Sequence, residues 1–529
     1  MTMTPVFVGV SIFLLLGVAF GNGGHGILLP LASPNPGAVG YESLPLNMSY
    51  TDVRLNVQGE VPSFLAGTLY RGAPGYWPDG WWLDGLITLN AFKFSGGSVS
   101  YSMRWNKDEA YNRTVNNVPP PPLPIESAMP GALLQPRNAS FPTGVAFSEV
   151  QGQLVHSTGV SNANCVDPDT LEPLEMPFVF GDDFDAPFLA PTHDMKVDGY
   201  ILHHLVTGVV KDSGGTPGYI VTSIKPGSRK RDVIATIEKP KESAPLYGTP
   251  SFQHMPLATS EYYIMLETPC YYPTANTQVG HVDWKGFGSN PLARTHVRLV
   301  SRKSGESIIY PLTHNIFAIH HINAYYDAPS NSIVVDTIRL FPSFLPCSLA
   351  FTQLTMDHYV NTSTSGSRVS TPFRLTLPLD KPGSYVDPKP LAPGAVGMEF
   401  PTIRYDDLNG KPYHYAYGCW MVSDDSDNFD SLIKVDVHTG NYTYWHIDGH
   451  YPGEPIFVPD PKGLSEDDGV IMTNVLDTLR KETYVLLLDA KTMTELARAG
   501  PTPHFIPHGY HGRYFDRRPG HGRDRTVLV

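Results

Sequence analysis

Apolar and polar positions alternate along most of the chain in short runs bounded by Gly, Pro, Asn, Asp and Ser, the pattern of half-buried β-strands joined by turns. The stretch FAIHHINAYYD, residues 317–327, reads as one such strand and carries two adjacent histidines. Successive strand side chains point to opposite faces, so His320 and His321 cannot both reach one point. At most one of them serves a shared site. His203 and His204 alternate in the same way, fit no ligand pattern and read as structural.

Four stretches share one form, a strand ending in a polar turn with a second strand behind it: CVDPDTLEPL, LVSRKSGESIIY, KVDVHTGNYTYW and LLDAKTMTELA. Taking Asp167, Ser301, Asp436 and Asp489 as equivalent, the intervals are 134, 135 and 53 residues. The first two are double steps of about 67, the signature of a radial repeat of four-stranded blades. Composition agrees. Charged residues are only 17%, and 50 Pro and 48 Gly suit many turns rather than long helices, so the expected class is all-β.

A net charge of −13 argues against nucleic acid and anionic lipid as partners bound through bulk charge. The basic end RYFDRRPGHGRDRTVLV is read as a solvated tail. Near the start, the apolar run Val6–Phe20 and the small residues after it read as a secretory signal over residues 1–24. No Lys or Arg precedes the run, which leaves a retained anchor as the alternative. Sequons at Asn47, Asn112, Asn138, Asn361 and Asn441 suit a lumenal, glycosylated protein. Cys165, Cys270, Cys347 and Cys419 allow two bridges in any of three pairings, or none, and show no CxxC spacing.

The histidines carry the chemistry. His193, His254, His320 and His511 are 61, 66 and 191 residues apart, so each step approximates one blade or three. Imidazoles recurring at the blade period, at strand ends, can meet at the axis of a propeller. Four neutral nitrogen donors at one point imply iron, copper, nickel or zinc.

The chain resembles the carotenoid cleavage oxygenase family, which includes the retinal pigment epithelium retinoid isomerohydrolase. The motifs are VPSFLAGTLYRGAPG, WWLDGLITLNAFKFSGGSVSYSMRW, LETP, AIHHINAY, MEFPTIRY, GEPIFVPDPKGLSEDDGV and IPHGYHGRYF. The resemblance implies a seven-bladed β-propeller over residues 35–516, a helical and loop cap over its axis, and a tail at 517–529. It implies Fe(II) held by His193, His254, His320 and His511, with Glu399 behind His320 and Glu454 behind His511. The activity implied is oxidative cleavage by dioxygen of a conjugated double bond in a carotenoid or apocarotenoid, the substrate being aligned in an apolar tunnel.

The pattern has departures. Gly159 stands where the family carries the glutamate expected behind His254, with water, Asn162 or Asn164 as candidate substitutes. His193 is followed by Asp rather than Pro, and Asn90 stands where a histidine is common. The alternatives are therefore retinoid ester isomerisation and hydrolysis, or a secreted carotenoid-binding protein without turnover. FPSFLPCSLAF at 341–351 is read either as a tunnel mouth making peripheral membrane contact or as ordinary core, and VPPPPLPIESAMPGALLQP as a stiff surface loop.

Overall fold

The alternating pattern folds as antiparallel sheet nearly throughout. The computed structural model describes residues 36–77, 85–118, 146–157, 163–176, 178–182, 188–189, 195–210, 216–238, 251–271, 288–289, 293–340, 370–392, 396–422, 426 and 428–517. Among them lie seven sheets of four to six strands, the blades of a β-propeller, and one two-stranded sheet. Among the described residues helix is confined to Pro36–Tyr41, Glu109–Val115 and Tyr405–Leu408, so they do not delineate the expected cap over the axis.

Blade two shows the plan, with Ala146–Val150, Gln153–Ser157, Ala163–Val166 and Pro173–Glu175 paired in chain order. The first strands of neighbouring blades touch: Met195–Val197 of blade three meets Leu257–Ala258 of blade four, which meets His321–Asp327 of blade five, which meets Glu399–Thr402 of blade six. Ile456–Pro459 likewise meets Gly512–Asp516, which meets Ala146–Val150. These strands therefore line the axis.

The ring is closed by both ends of the described chain. Gly512–Asp516 is the axial strand of blade one, paired with Gly67–Tyr76 so that Arg71 faces Gly512. Val57–Gly59 is the outer strand of blade seven, beside Glu495–Ala499. Gly512–Asp516 takes in the first four residues of the basic end, within the expected propeller span of 35–516, so those four are not solvated tail. Residues 512–516 are fold, and Arg517 is anchored by a 2.6 Å bond to Asp169 Oδ1 and a 2.9 Å bond to the Tyr70 hydroxyl.

Strand alternation builds the core as layers between blades. In blade six Ala416, Ile433 and Val435 face blade five, whereas Tyr417, Cys419 and Leu432 face blade seven. Burying such side chains stabilises by roughly 1.5–3 kcal/mol each, and the layers recur around the ring. Lys434 shares the blade-seven face and is held there by Asp467 at 2.7 Å.

The four repeated turns are structurally equivalent. Each joins the third and fourth strands of its blade, in blades two, four, six and seven, so the intervals correspond to two blades, two blades and one. The N–H of Leu171, Gly305, Gly440 and Met493 bonds the carbonyl of Asp167, Ser301, Asp436 and Asp489 at 2.8–2.9 Å. The side-chain oxygen of each of those four accepts a second backbone N–H. The fifth residue is left-handed in all four, with φ of 60, 76, 74 and 59°. Glycine accepts that conformation freely. Leu171 and Met493 do not, and each offsets a cost of about 1–2 kcal/mol by burying its side chain in an inter-blade layer.

Cys165 and Cys419 are free and buried, which excludes two bridges, while Cys270 is disulfide-bonded. The segments 341–351 and 119–136 and the tail beyond 517 lie outside the described residues, as do the side chains of His203 and His204.

Candidate metal centre

The candidate residues cluster where axial strands begin. His320 and His511 immediately precede His321–Asp327 and Gly512–Asp516, and His254 lies just before Leu257–Ala258. Their ligand nitrogens lie within 4.8 Å of one another. Ring centroids are 5.0 Å apart for His254 and His320, 5.7 Å for His254 and His511, and 5.0 Å for His320 and His511. His193 falls between Phe188–Leu189 and Met195–Val197 in the chain and lies outside the described residues.

His320 is buried, and its Nδ1 bonds Glu399 Oε2. Glu399 opens the axial strand of blade six, where the register slips by one residue between Glu399 and Thr402. That bulge re-aims the strand. Phe400 adopts φ of 48°, its N–H donates to Glu399 Oε2 at 2.8 Å, and its ring packs 5.1 Å from His320 and 5.2 Å from His511. The left-handed phenylalanine thus braces two imidazoles at once. Phe252 stacks on His254 at 6.3 Å and Phe429 meets Phe400 at 5.7 Å, so aromatic surface surrounds the histidines.

His511 Nδ1 donates to Glu454 Oε1 at 2.9 Å. Glu454 Oε2 accepts the Gly512 N–H at 2.7 Å and Arg71 Nη1 at 3.2 Å. Burial pushes the Glu454 carboxyl up to about 7, against the pull of Arg71 and the Gly512 N–H toward the ionised form. Burial also holds His511 well below the usual imidazole range, with His320 and Arg71 adding to it. The ring is therefore neutral, with Nδ1 committed to the carboxylate, so that Nε2 is the nitrogen that would face an ion. Three imidazoles, two of them oriented by carboxylates, suit a transition metal, so the residues present fit the implied iron.

His321 turns away from this cluster. Its Nδ1 bonds Thr337 Oγ1 at 2.7 Å, and burial, then proximity to His320, lowers its pKa to about 3. Asn90 is a hub inside blade one, donating to Thr88 Oγ1 at 3.0 Å and accepting from the Tyr101 hydroxyl at 2.6 Å. Gly159 and Asn162 lie outside the described residues, and Asn164 is buried beside His156 in blade two. Sequence reasoning missed Arg71, Thr473, Asn474 and Phe400. For Arg71 there was a signal: a lone arginine inside the continuously buried run GTLYRGAPG requires partners.

The family profile described as retinal pigment epithelial membrane protein matches residues 43–516. The chain belongs to this family. Its relatives include the mitochondrial carotenoid-cleaving dioxygenase of Pongo abelii, 27% identical over 87% of this chain and 92% of that one. The carotenoid isomerooxygenase of Galleria mellonella is 28% identical over 87% and 93%. The β,β-carotene 15,15′-dioxygenase of Gallus gallus is 27% identical over 84% and 92%. Among solved structures, a variant of the Synechocystis apocarotenoid oxygenase superposes with a TM-score of 0.73 at 20% identity, over 91% of this chain and 98% of that one, which shows the shared fold. A cobalt-substituted form of that oxygenase matches with the same score.

Proposed function

We propose that the protein is a non-haem Fe(II) dioxygenase that cleaves a conjugated C=C bond of a carotenoid or apocarotenoid into two carbonyl products. The observation that carries this reading is the convergence of His254, His320 and His511, with the rings of His320 and His511 oriented by buried glutamates. His193 completes the set by resemblance. A bound ferrous ion supplies dioxygen activation. The chain's own residues do the rest: Glu399 and Glu454 fix the ring tautomers, and Phe252, Phe400 and Phe429 offer apolar surface that suits an uncharged polyene. In the net reaction the double bond breaks, and each of its carbons takes one atom of dioxygen.

Iron-loaded protein is incubated with carotenoids and apocarotenoids under isotopically labelled dioxygen. Paired aldehydes or ketones, each carrying one labelled oxygen, are expected, and no carbonyl product from any polyene would overturn the reading. Gly159 motivates a second reading, pigment binding without turnover, because the glutamate expected behind His254 is missing. Iron-bound protein that stays coloured in air would favour it. An unlabelled alcohol released from a retinyl ester would favour the isomerohydrolase.

We also infer maturation in the secretory pathway. Support comes from the apolar run Val6–Phe20, from the disulfide at Cys270 and from the exposure of the sequon asparagines Asn47, Asn112 and Asn441. Peripheral membrane contact through residues 341–351 belongs to the same proposal. A mobility shift on glycosidase treatment and a mature N-terminus near residue 24 are expected; an unmodified chain retaining Met1 would count against this route.

A further inference from the structure

We propose that Arg71 is a positioning residue of the metal centre, holding Glu454 so that Glu454 can aim His511. This rests on the metal reading above and adds to it a residue that touches neither ion nor substrate.

Arg71 lies on Gly67–Tyr76, next to the axial strand of blade one, and only 2% of it is exposed. Every arm of its fork is used on blade seven. Nε donates to Asn474 Oδ1 at 2.9 Å, Nη1 to Glu454 Oε2 at 3.2 Å, and Nη2 to Thr473 Oγ1 at 2.9 Å and to the Glu454 backbone carbonyl. Thr473 Oγ1 in turn donates to Gly453 O at 2.8 Å, fixing the residue before the glutamate. Glu454 is thereby gripped at its main chain and at the carboxylate oxygen that His511 does not use.

Two glycines leave room for this grip. A Cβ at Gly453 would lie 3.0 Å from both Arg71 Nη2 and Asn474 Oδ1, and one at Gly512 would lie 2.3 Å from Arg71 Cδ. Burying a guanidinium is costly, and an apolar residue of similar volume often serves stability as well or better. Ring closure alone does not call for an arginine here, since paired backbone already joins Gly67–Tyr76 to Gly512–Asp516. The fork gives what packing cannot, a carboxyl group unable to rotate behind an imidazole.

The test is Co(II) binding to the full-length chain, followed by its visible absorption, with thermal unfolding of the metal-free protein as the measure of structure. Arg71→Met is expected to weaken Co(II) binding per folded molecule by about 10–100-fold and to alter the cobalt spectrum. Glu454→Gln is expected to do the same, and the double variant to be no worse than Glu454→Gln, because Arg71 acts through that glutamate. Combined with Glu399→Gln, the loss should multiply. Should Arg71→Met fail to fold, Arg71→Lys replaces it in the same cycle, with the same non-additivity expected. If the unaltered protein takes up no Co(II), the metal reading fails and this proposal with it. If it binds Co(II) and the Arg71 variants bind as tightly with an unchanged spectrum, or their loss multiplies with that of Glu454→Gln, the proposal alone is overturned.

Discussion

The two glutamates behind the histidines do the same task by different means. Glu399 is held locally: Oε2 serves both His320 and the adjoining Phe400 N–H, and Oε1 has no hydrogen-bond partner among the described residues. Glu454 is held from far away in sequence, with Oε1 on His511 and Oε2 shared between Gly512 and an arginine 383 residues upstream. A bulge and a left-handed phenylalanine set the first, and closure of the ring sets the second. The same carboxylate–imidazole contact can thus depend on a few neighbouring residues or on the whole fold.

The largest expected effect falls on both halves equally. His320→Ala and His511→Ala should reduce bound iron to background, measured as iron per folded chain, whereas His321→Ala should retain iron and lose stability through the Thr337 contact. Equal iron loss in His320→Ala and His321→Ala would overturn the assignment of this pair. The next prediction separates the halves. Glu454→Gln leaves Arg71 buried without its counter-charge and should cost about 3–5 kcal/mol in denaturant unfolding, on top of weaker metal binding. Glu399→Gln should weaken metal binding by about 10–100-fold with a smaller stability loss. Equal stability losses would break the comparison.

Acid should sharpen it further. His508, three residues before His511, donates to the Gly37 carbonyl, and burial lowers its pKa to about 4 from an ordinary 6.5. His156 in blade two, fully buried with neither ring nitrogen hydrogen-bonded among the described residues, is lowered to about 3. For both, the unfolded chain binds the proton more readily than the fold does. Their contribution is full above pH 6.5 and is lost as pH falls through the window down to 3–4. Metal-free protein should therefore lose stability steadily below pH 6.5, with the His511 loop opening early, as amide exchange would report. The smallest effect expected is that of His156→Leu, which removes unsatisfied buried nitrogens and should leave metal binding unchanged, hold or raise the melting temperature and flatten the acid slope. A steeper slope would contradict it.

Much of the architecture was legible because it is local or periodic. The turns at Asp167, Ser301, Asp436 and Asp489 cap themselves within a few residues, so their spacing recorded the blades before any fold was known. Strand alternation separated His320 from His321, and family motifs chose between them. Arg71 signals only that a partner exists, not which, because its partners sit in a blade almost the whole chain away. Phe400 was no more visible, since its conformation follows from a one-residue slip against Tyr415–Trp420.

Alone, the sequence determined the all-β class, the blade period, the family and the residues on which a metal site can be built, since each of these is written in short motifs and their intervals. The tertiary structure alone decided how the ring closes, that Cys165 and Cys419 stay free, and that one glutamate is held by a bulge and the other by a buried arginine. Burial and pairing between distant strands depend on the completed ring, and no interval along the chain encodes them.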